Sequence, residues 1–323
     1  MTRVTRGCCD LIVTTFDLSE YLADRRAVID RALDRYIGAQ PGHNHTVWRA
    51  MRYGLFPGGK RIRPILTLAA GELFGGSQED LLPFACAIEM IHAYSLIHDD
   101  LPALDDDDLR RGAPAAHKVF GEGMALLAGD GLLTEAFCLL SAAEVRKSLT
   151  PDLLTELIHE IACAIGVAGL VGGQAADLQA EEREVDLAAV EYVHVRKTGA
   201  LIHAAVRVGA RVAGAKGAEL RQVSRYGEYL GLAFQIADDV LDHQGDAPEP
   251  RPESGRKERR KATYPSVVGV AQAKARLAEL LQETVNQLIC FGSGAEPLRA
   301  IATQVVGRAL SEELSSKIEE THP

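Results

Sequence analysis

Between Leu18 and Ile37 the chain reads LSEYLADRRAVIDRALDRYI, with apolar residues at i, i+3, i+4 and i+7 and charges on the remaining face. That period marks an amphipathic α-helix. Comparable patterns run through 62–74 (IRPILTLAAGELF), 84–100 (FACAIEMIHAYSLIHDD), 125–145, 152–171, 198–215 and 229–242. Alternating apolar and polar runs, which would mark half-buried strands, are scarce. The sequences FPGGK, GGSQED, RRGAP and AGAKG separate the helical stretches, each carrying glycine or proline that interrupts a helix. The pattern predicts an all-α, single-domain helical bundle, since no internal repeat or linker divides the chain. That domain is expected over residues 18–310, with 1–17 a peripheral N-terminal segment and 311–323 a C-terminal tail. Residues 244–261 (QGDAPEPRPESGRKERRK) combine Pro, Gly and charge and are expected to form a loop.

Composition narrows the function. Of 323 residues, 47% are hydrophobic and only 5% aromatic, which suits packed helices; a net charge of −10 argues against a nucleic-acid binder. Cys8, Cys9, Cys86, Cys138, Cys163 and Cys290 are scattered, without metal-ligand spacing, as buried thiols of a reducing compartment would be. The opening residues MTRVTRGCCDLIVTTF lack the sustained apolar core of a secretory signal. The longest apolar run, Ile161 to Gly173, is short for a bilayer and rich in glycine, so no transmembrane segment is expected. A cytoplasmic location follows as the expectation.

The candidate chemistry lies in two acidic clusters. Residues 98–112 (HDDLPALDDDDLRRG) hold six aspartates and two arginines. Asp99 and Asp100 end an apolar helical run, Pro102 disturbs the helix, and Asp105 would return to the same side. In QIADDVLD, Asp238, Asp239 and Asp242 stand at i, i+1 and i+4, placing Asp238 and Asp242 on one helix face. One such cluster reads as a solvated helix end. Two of them, both closing strongly apolar helices, need cations to stay ionised. Hard carboxylate oxygens at this density suit Mg2+, which commonly shares its coordination sites with substrate phosphates. Opposing charge is present in Lys60, Arg61 and Arg63 of GGKRIRP, in Arg110 and Arg111, in Lys197 of RKTG and in Lys261 of RRKATYP; Lys257 to Arg260 read as a solvated face. Such a set could trap a diphosphate and stabilise it as a leaving group.

The motifs GGKRIRP, HAYSLIHDDLPALDDDDLRRG, AGD, GGQAADL, KTGAL, FQIADDVLD and KATYP occur in this order. Together they resemble the trans-isoprenyl diphosphate synthases, in particular the bacterial short-chain farnesyl and geranylgeranyl diphosphate synthases, over Leu18 to Arg308. The resemblance implies the isoprenoid synthase fold, a bundle around a deep central cavity, usually as a homodimer. It implies head-to-tail condensation of isopentenyl diphosphate with an allylic diphosphate. Asp99, Asp100, Asp105, Asp238, Asp239 and Asp242 would hold Mg2+, three ions in all, on the allylic diphosphate. Arg110, Lys197 and Lys261 would contact that diphosphate, with Thr198 and Gln235 nearby. Lys60, Arg63, His92 and Arg111 would hold isopentenyl diphosphate. Catalysis would rest on electrostatic stabilisation of the departing diphosphate by Asp-bound metal and Lys197, with no side-chain nucleophile. Individually, His92 could be a core histidine, Thr198 could serve only to place Lys197, and Gln174 and Asp177 could be structural; His98 has no assigned role. The loop departs from the family's pattern, reading ESGRKERRKATYP with Glu258 where an aspartate is common.

Tyr94 lies five residues before Asp99, about 7 to 8 Å along a helix. An aromatic there resembles the farnesyl-forming pattern, since the ring would block the growing chain; Ser95 beside it is small and adds no second plug. Farnesyl diphosphate is the expected product and geranylgeranyl diphosphate the alternative. Tyr94 could instead pack sideways as core. A terpene cyclase would lack the second aspartate cluster and the GGKRIRP cations, and a catalytically silent regulatory subunit would usually have lost aspartates that are present here.

Overall fold

The computed structural model describes residues 16–38, 45–56, 58–180, 185–244 and 263–320. The described chain begins with α1 (Leu18–Ile37), α2 (His45–Leu55), α3 (Ile62–Leu73) and α4 (Gln78–Asp99). A two-stranded ribbon follows, β1 (Leu109–Arg110) and β2 (Ala113–Pro114), leading to α5 (Ala116–Phe120), α6 (Glu122–Leu140), α7 (Ala143–Ser148), α8 (Pro151–Ile165) and α9 (Leu170–Ala180). Then come α10 (Leu187–Val193), a π-helical turn (His194–Gly199), α11 (Ala200–Val212), α12 (Gly217–Gln244), α13 (Tyr264–Val268), α14 (Val270–Asn286), a 3-10 turn (Ile289–Ala295) and α15 (Glu296–Glu320). The all-α expectation holds.

The fold is organised around α4, which is apolar on nearly every side and buried from Leu81 to Ile91. It packs against α3 and α6, with α11 behind. Leu66, Leu68, Phe84, Ile88, Ile91, Leu132 and Val206 belong to this main core. A smaller apolar cluster joins α12, α14 and α15 through Ile236, Val240, Leu277, Leu280 and Val306. The two acidic clusters thus sit at the end of α4 and on α12, each beside one of these apolar cores.

Helix ends follow local chemistry. The Ser77 hydroxyl caps α4 by accepting from the Asp80 amide at 3.1 Å, and Glu79 and Asp80 complement the positive helix start. GGSQED is therefore only half a breaker: its last three residues are the first turn of α4. The pattern over 125–145 divides after Leu140, and that over 152–171 divides at Gly166, whose amide closes α8 onto the Ala162 carbonyl at 2.9 Å. RRGAP is a β-hairpin rather than a plain break, with Arg110 opposite Ala113. Its two loop residues, Arg111 and Gly112, have φ of 54° and 74°, as a two-residue hairpin turn requires. The α15 helix continues into the stretch expected as a tail.

Three helical stretches, Gln78–Asp99, Glu122–Ser148 and Pro151–Ala180, are long and apolar enough to cross a membrane by length and composition. The sequence reading counted unbroken apolar runs, whereas a helix tolerates isolated polar residues. The first stretch is mostly buried and serves as core; the other two are one-third buried and present apolar side chains outward.

Candidate active site

The GGK turn and the Arg-Arg hairpin form one unit. Gly58 is left-handed at φ 85°, and its carbonyl accepts from the Arg111 guanidinium. A Cβ on Gly59 would stand 2.7 Å from Arg111 Nη1, so a side chain there would make that guanidinium shift. Arg61, at φ 51°, turns inward, donating to Glu89 at 2.7 Å, Asp30 at 2.9 Å and the Leu55 carbonyl at 2.8 Å, with 4% exposure. It is a buried anchor and leaves Lys60 and Arg63 to face the site. The Arg63 guanidinium lies 3.3 Å from His92 Nε2. Burial, reinforced by Arg63 and Arg111, pushes His92 well below its ordinary value, so the ring is neutral and Nε2 accepts from Arg63. Burial likewise pulls Arg63 below its usual value, against the opposing pull of Glu89 and Asp238, and Arg63 Nε is buried with no hydrogen-bond partner among the described residues. Arg63, His92 and Arg111 therefore cluster, with a donor that an anionic ligand could satisfy, while Lys60 and Arg63 both act on Asp238.

The first aspartate cluster forms where α4 ends. Beyond Asp100 the chain loops through Pro102 and returns, and the Asp105 amide donates to the Asp99 carbonyl at 2.7 Å. Asp105 therefore comes back beside Asp99. Burial raises the Asp99 carboxyl to about 7, with Asp105 and Asp100 adding to the shift and Lys197 and Arg110 opposing it. Asp100 is raised to about 6 by burial, against its contact with Arg110, whose Nε donates at 2.9 Å. Arg110 also holds Asp107 at 3.2 Å.

The second cluster lies on α12. Burial raises Asp238 to about 6; Lys60 is near enough to oppose this, and Asp242 and Asp239 add to it. Asp239 is 6% exposed and accepts from the Tyr264 amide at 2.8 Å and from Gln235 Nε2 at 3.3 Å, with His194 Nε2 3.1 Å away. The His194 ring stacks on Tyr264. Asp100 and Asp239, the second aspartate of each pair, are thus occupied by protein partners.

Beside the first cluster stands Lys197, on the π-helical turn. Its ammonium pairs with Asp177 at 2.7 Å and lies within electrostatic reach of Asp99 and Asp105. Glycines on two neighbouring helices hold this turn closely. A Cβ on Gly173 of α9 would collide with the Lys197 backbone nitrogen, and one on Gly231 of α12 would stand 2.7 Å from the Gly199 Cα. Thr198 Oγ1 donates to Gln235 Oε1 at 2.8 Å and so links the turn to α12 and Asp239. Single π turns inside helices recur at functional sites.

No three Asp, Glu, His or Cys side chains converge into a ready-made metal cage among the described residues. The donors nonetheless fit Mg2+: hard oxygens from two helices, three of them with carboxyls raised by burial and mutual repulsion, in an arrangement that phosphate oxygens could complete. Lys261 and the Glu258 departure lie outside the described residues. Tyr94 is 6% exposed, its ring edge-on to His98 at 5.7 Å, and burial raises its phenol to about 12. His98 in turn is anchored 3.0 Å from the Leu126 carbonyl of α6. Ser95 turns its hydroxyl back to the His92 carbonyl at 2.9 Å.

Residues 44–288 match the model of the polyprenyl synthetase family. The chain belongs to that family. Within the polyprenyl synthetases it is 46% identical to a farnesyl diphosphate synthase of Escherichia coli K12 over 86% of this chain and 95% of that one. It is 44% identical to a geranylgeranyl diphosphate synthase of Cyanophora paradoxa over 91% and 98% respectively. Among solved structures it superposes on a geranyltransferase from Legionella pneumophila with a TM-score of 0.81 at 32% identity, covering 90% of this chain and 97% of that one. An FPP/GFPP synthase from Zymomonas mobilis gives 0.80 at 38% identity, over 90% and 98%.

Two features of this site were missed in the sequence. The anchoring role of Arg61 had a signal in Glu89, a lone acid in the apolar run AIEMIHAY that needed a buried cation. The part of His194 had none, because a histidine three residues before Lys197 reads as ordinary helix.

Proposed function

We infer that this protein is a short-chain trans-prenyltransferase that joins isopentenyl diphosphate head-to-tail to an allylic diphosphate. The observation that carries this is the presence of two distinct anion sites. One is formed by Arg63 and Arg111 beside neutral His92, with Lys60 acting on nearby Asp238; the other is the Asp99–Asp105 cluster within reach of Lys197, whose neighbour Thr198 is linked through Gln235 to Asp239 of the second cluster. Two sites for diphosphate suit a reaction that holds two diphosphate esters at once.

In this proposal Asp99, Asp105, Asp238 and Asp242 hold Mg2+, while Asp100 and Asp239 act through the partners they already have: Arg110 for the first, His194, Tyr264 and Gln235 for the second. Bound Mg2+ would supply positive charge for the allylic diphosphate. Arg110 and Lys197 add fixed charge beside the same group, and their placement costs no reorganisation as the diphosphate departs. Lys60, Arg63 and Arg111 orient isopentenyl diphosphate so that its double bond faces the resulting cation. The proton then lost needs no side-chain base, since the released diphosphate can take it.

We assign farnesyl diphosphate as the product, with geranylgeranyl diphosphate as the second reading and a silent regulatory subunit as the third. The support is Tyr94, buried one and a half turns before Asp99 and braced by His98. A homodimer belongs to the same proposal. Leu126 and Leu127 on α6 are 46% and 53% exposed, and Val167 and Val171 add apolar surface before and on α9. Large exposed apolar side chains on adjacent turns suit a second copy. Cys86, Cys138, Cys163 and Cys290 are free thiols that fit a cytoplasmic setting, although only Cys86 is buried as expected and the other three are exposed.

The test is product analysis by mass spectrometry, with isopentenyl diphosphate and dimethylallyl, geranyl or farnesyl diphosphate, in Mg2+ and in chelator. Farnesyl diphosphate as end product supports the whole reading. Extension of farnesyl diphosphate to twenty carbons keeps the chemistry and overturns the product; no Mg2+-dependent product from any primer favours the silent subunit.

A further inference from the structure

Gln174 is a buried polar residue that the reading above leaves unused. It is 9% exposed on α9, and both its amide nitrogen and its amide oxygen are buried with no hydrogen-bond partner among the described residues. An amide enclosed in this way costs the empty protein stability, so a native one calls for an explanation. Its surroundings supply one. The preceding residue, Gly173, rests directly on the Lys197 backbone. One turn further along the same helix face, Asp177 holds the Lys197 ammonium. The ammonium end of Lys197 is the diphosphate end, within reach of Asp99 and Asp105. Gln174 follows Gly173 on α9 and so lies along that helix near the level of the Lys197 backbone, between it and the turn that carries Asp177.

We propose that Gln174 is a catalytic residue whose amide carbonyl oxygen faces the reacting carbon of the allylic substrate and stabilises the carbocation; this rests on the prenyltransferase reading. When the C–O bond breaks, its electron pair leaves with the diphosphate and the allylic fragment becomes a delocalised cation. A carbonyl dipole lowers the energy of that cation without forming a bond to it. The isopentenyl double bond then supplies the electron pair for the new C–C bond, and the proton released goes to the diphosphate. The carbonyl oxygen has no partner among the described residues because, in this proposal, its partner exists only during the reaction.

The test compares Gln174→Met, which keeps length and volume but removes both polar atoms, with Gln174→Glu, which keeps an acceptor oxygen. Melting temperature and steady-state kinetics are measured with geranyl and isopentenyl diphosphates. Gln174→Met is expected to melt no lower than wild type, while its kcat falls by roughly 10- to 100-fold and KM for geranyl diphosphate changes less than about threefold. Gln174→Glu is expected to retain more activity than Gln174→Met despite being the less stable of the two. A purely structural glutamine gives the opposite order, because burying a carboxylate harms packing more than a thioether does. Equal kcat for wild type and Gln174→Met, or Gln174→Met more active than Gln174→Glu, overturns the proposal alone. A wild-type protein without product overturns the prenyltransferase reading and this one with it.

Discussion

The Asp99 carboxyl offers a quantitative check on the electrostatics of the site, through Asp99→Asn in metal-free protein. Burial carries this group from 3.8 to about 7 in the folded state. Each pH unit between folded and unfolded values corresponds to about 1.36 kcal/mol, giving roughly 4 kcal/mol against folding once Asp99 is ionised in both states. Screening by water in an open cleft reduces that to about 2 to 4 kcal/mol. The sign follows from proton counts. Between 3.8 and about 7 the folded state binds more protons than the unfolded state, so stability falls as pH rises through that window and levels off above it. Below 3.8 both states are protonated and the penalty is absent. Asp99→Asn is therefore expected to be more stable than wild type at pH 8 in chelator, by about 5 °C for a chain of this length. The gap should shrink steadily as the pH is lowered towards 4. The assay is a thermal melt across pH at constant ionic strength, repeated with Mg2+ and inorganic diphosphate. With those ligands wild type should gain much more than the variant, because the charge that harms the empty protein is the one that binds. An Asp99→Asn protein that is no more stable at pH 8, or whose advantage is the same at pH 5 and pH 8, would refute the reasoning.

Three other outcomes follow from the geometry. Tyr94→Ala should lengthen the main product by at least one five-carbon unit in mass spectrometry, and an unchanged product removes Tyr94 as the floor. Gly173→Ala should keep its helical circular dichroism yet lose kcat by about 100-fold, because a Cβ there must displace the Lys197 backbone; near-normal kcat would mean that the π turn tolerates movement. Replacing Leu126 and Leu127 together with glutamate should convert a dimer to a monomer at micromolar concentration in sedimentation, without lowering monomer stability by more than about 1 kcal/mol, since both are half-exposed. A monomeric wild type would instead remove this face from the proposal.

Helical period alone placed α1 with its observed bounds and located α3, α4, α11 and α12 closely enough to put both aspartate clusters on embedded helices. The aspartates and cations were legible because charge beside long apolar runs has few uses. What stayed hidden depended on tertiary partners. The three cations of GGKRIRP look alike in sequence; a backbone turn to φ 51° and a glutamate 28 residues away separate Arg61 from the other two. The six aspartates named as metal ligands also looked alike, although Arg110 and the His194–Tyr264 stack hold Asp100 and Asp239. The π turn was read as ordinary helix because its cause lies in glycines on α9 and α12, far apart in the chain.

The departures from local regularity share one location. Among the described residues the non-glycine positions with left-handed backbone are Arg61, Asp106 and Arg111. Arg61 follows Lys60, Asp106 follows Asp105, and Arg111 is itself one of the cations. Such conformations cost on the order of 1 kcal/mol each and persist where the surroundings over-determine them. The surroundings here do so: Arg61 is clamped by Glu89 and Asp30, Asp106 donates its amide to the Leu101 carbonyl at 3.1 Å, and Arg111 is seated on Gly58. Together with the π turn that carries Lys197 and the buried amide of Gln174, they lie at or next to the residues of the candidate site. Mutually repelling carboxylates belong to the same pattern. A site of this kind fits the proposed occupants, cations and a diphosphate, and on that reading the strain is the structural cost of holding their binding geometry in advance.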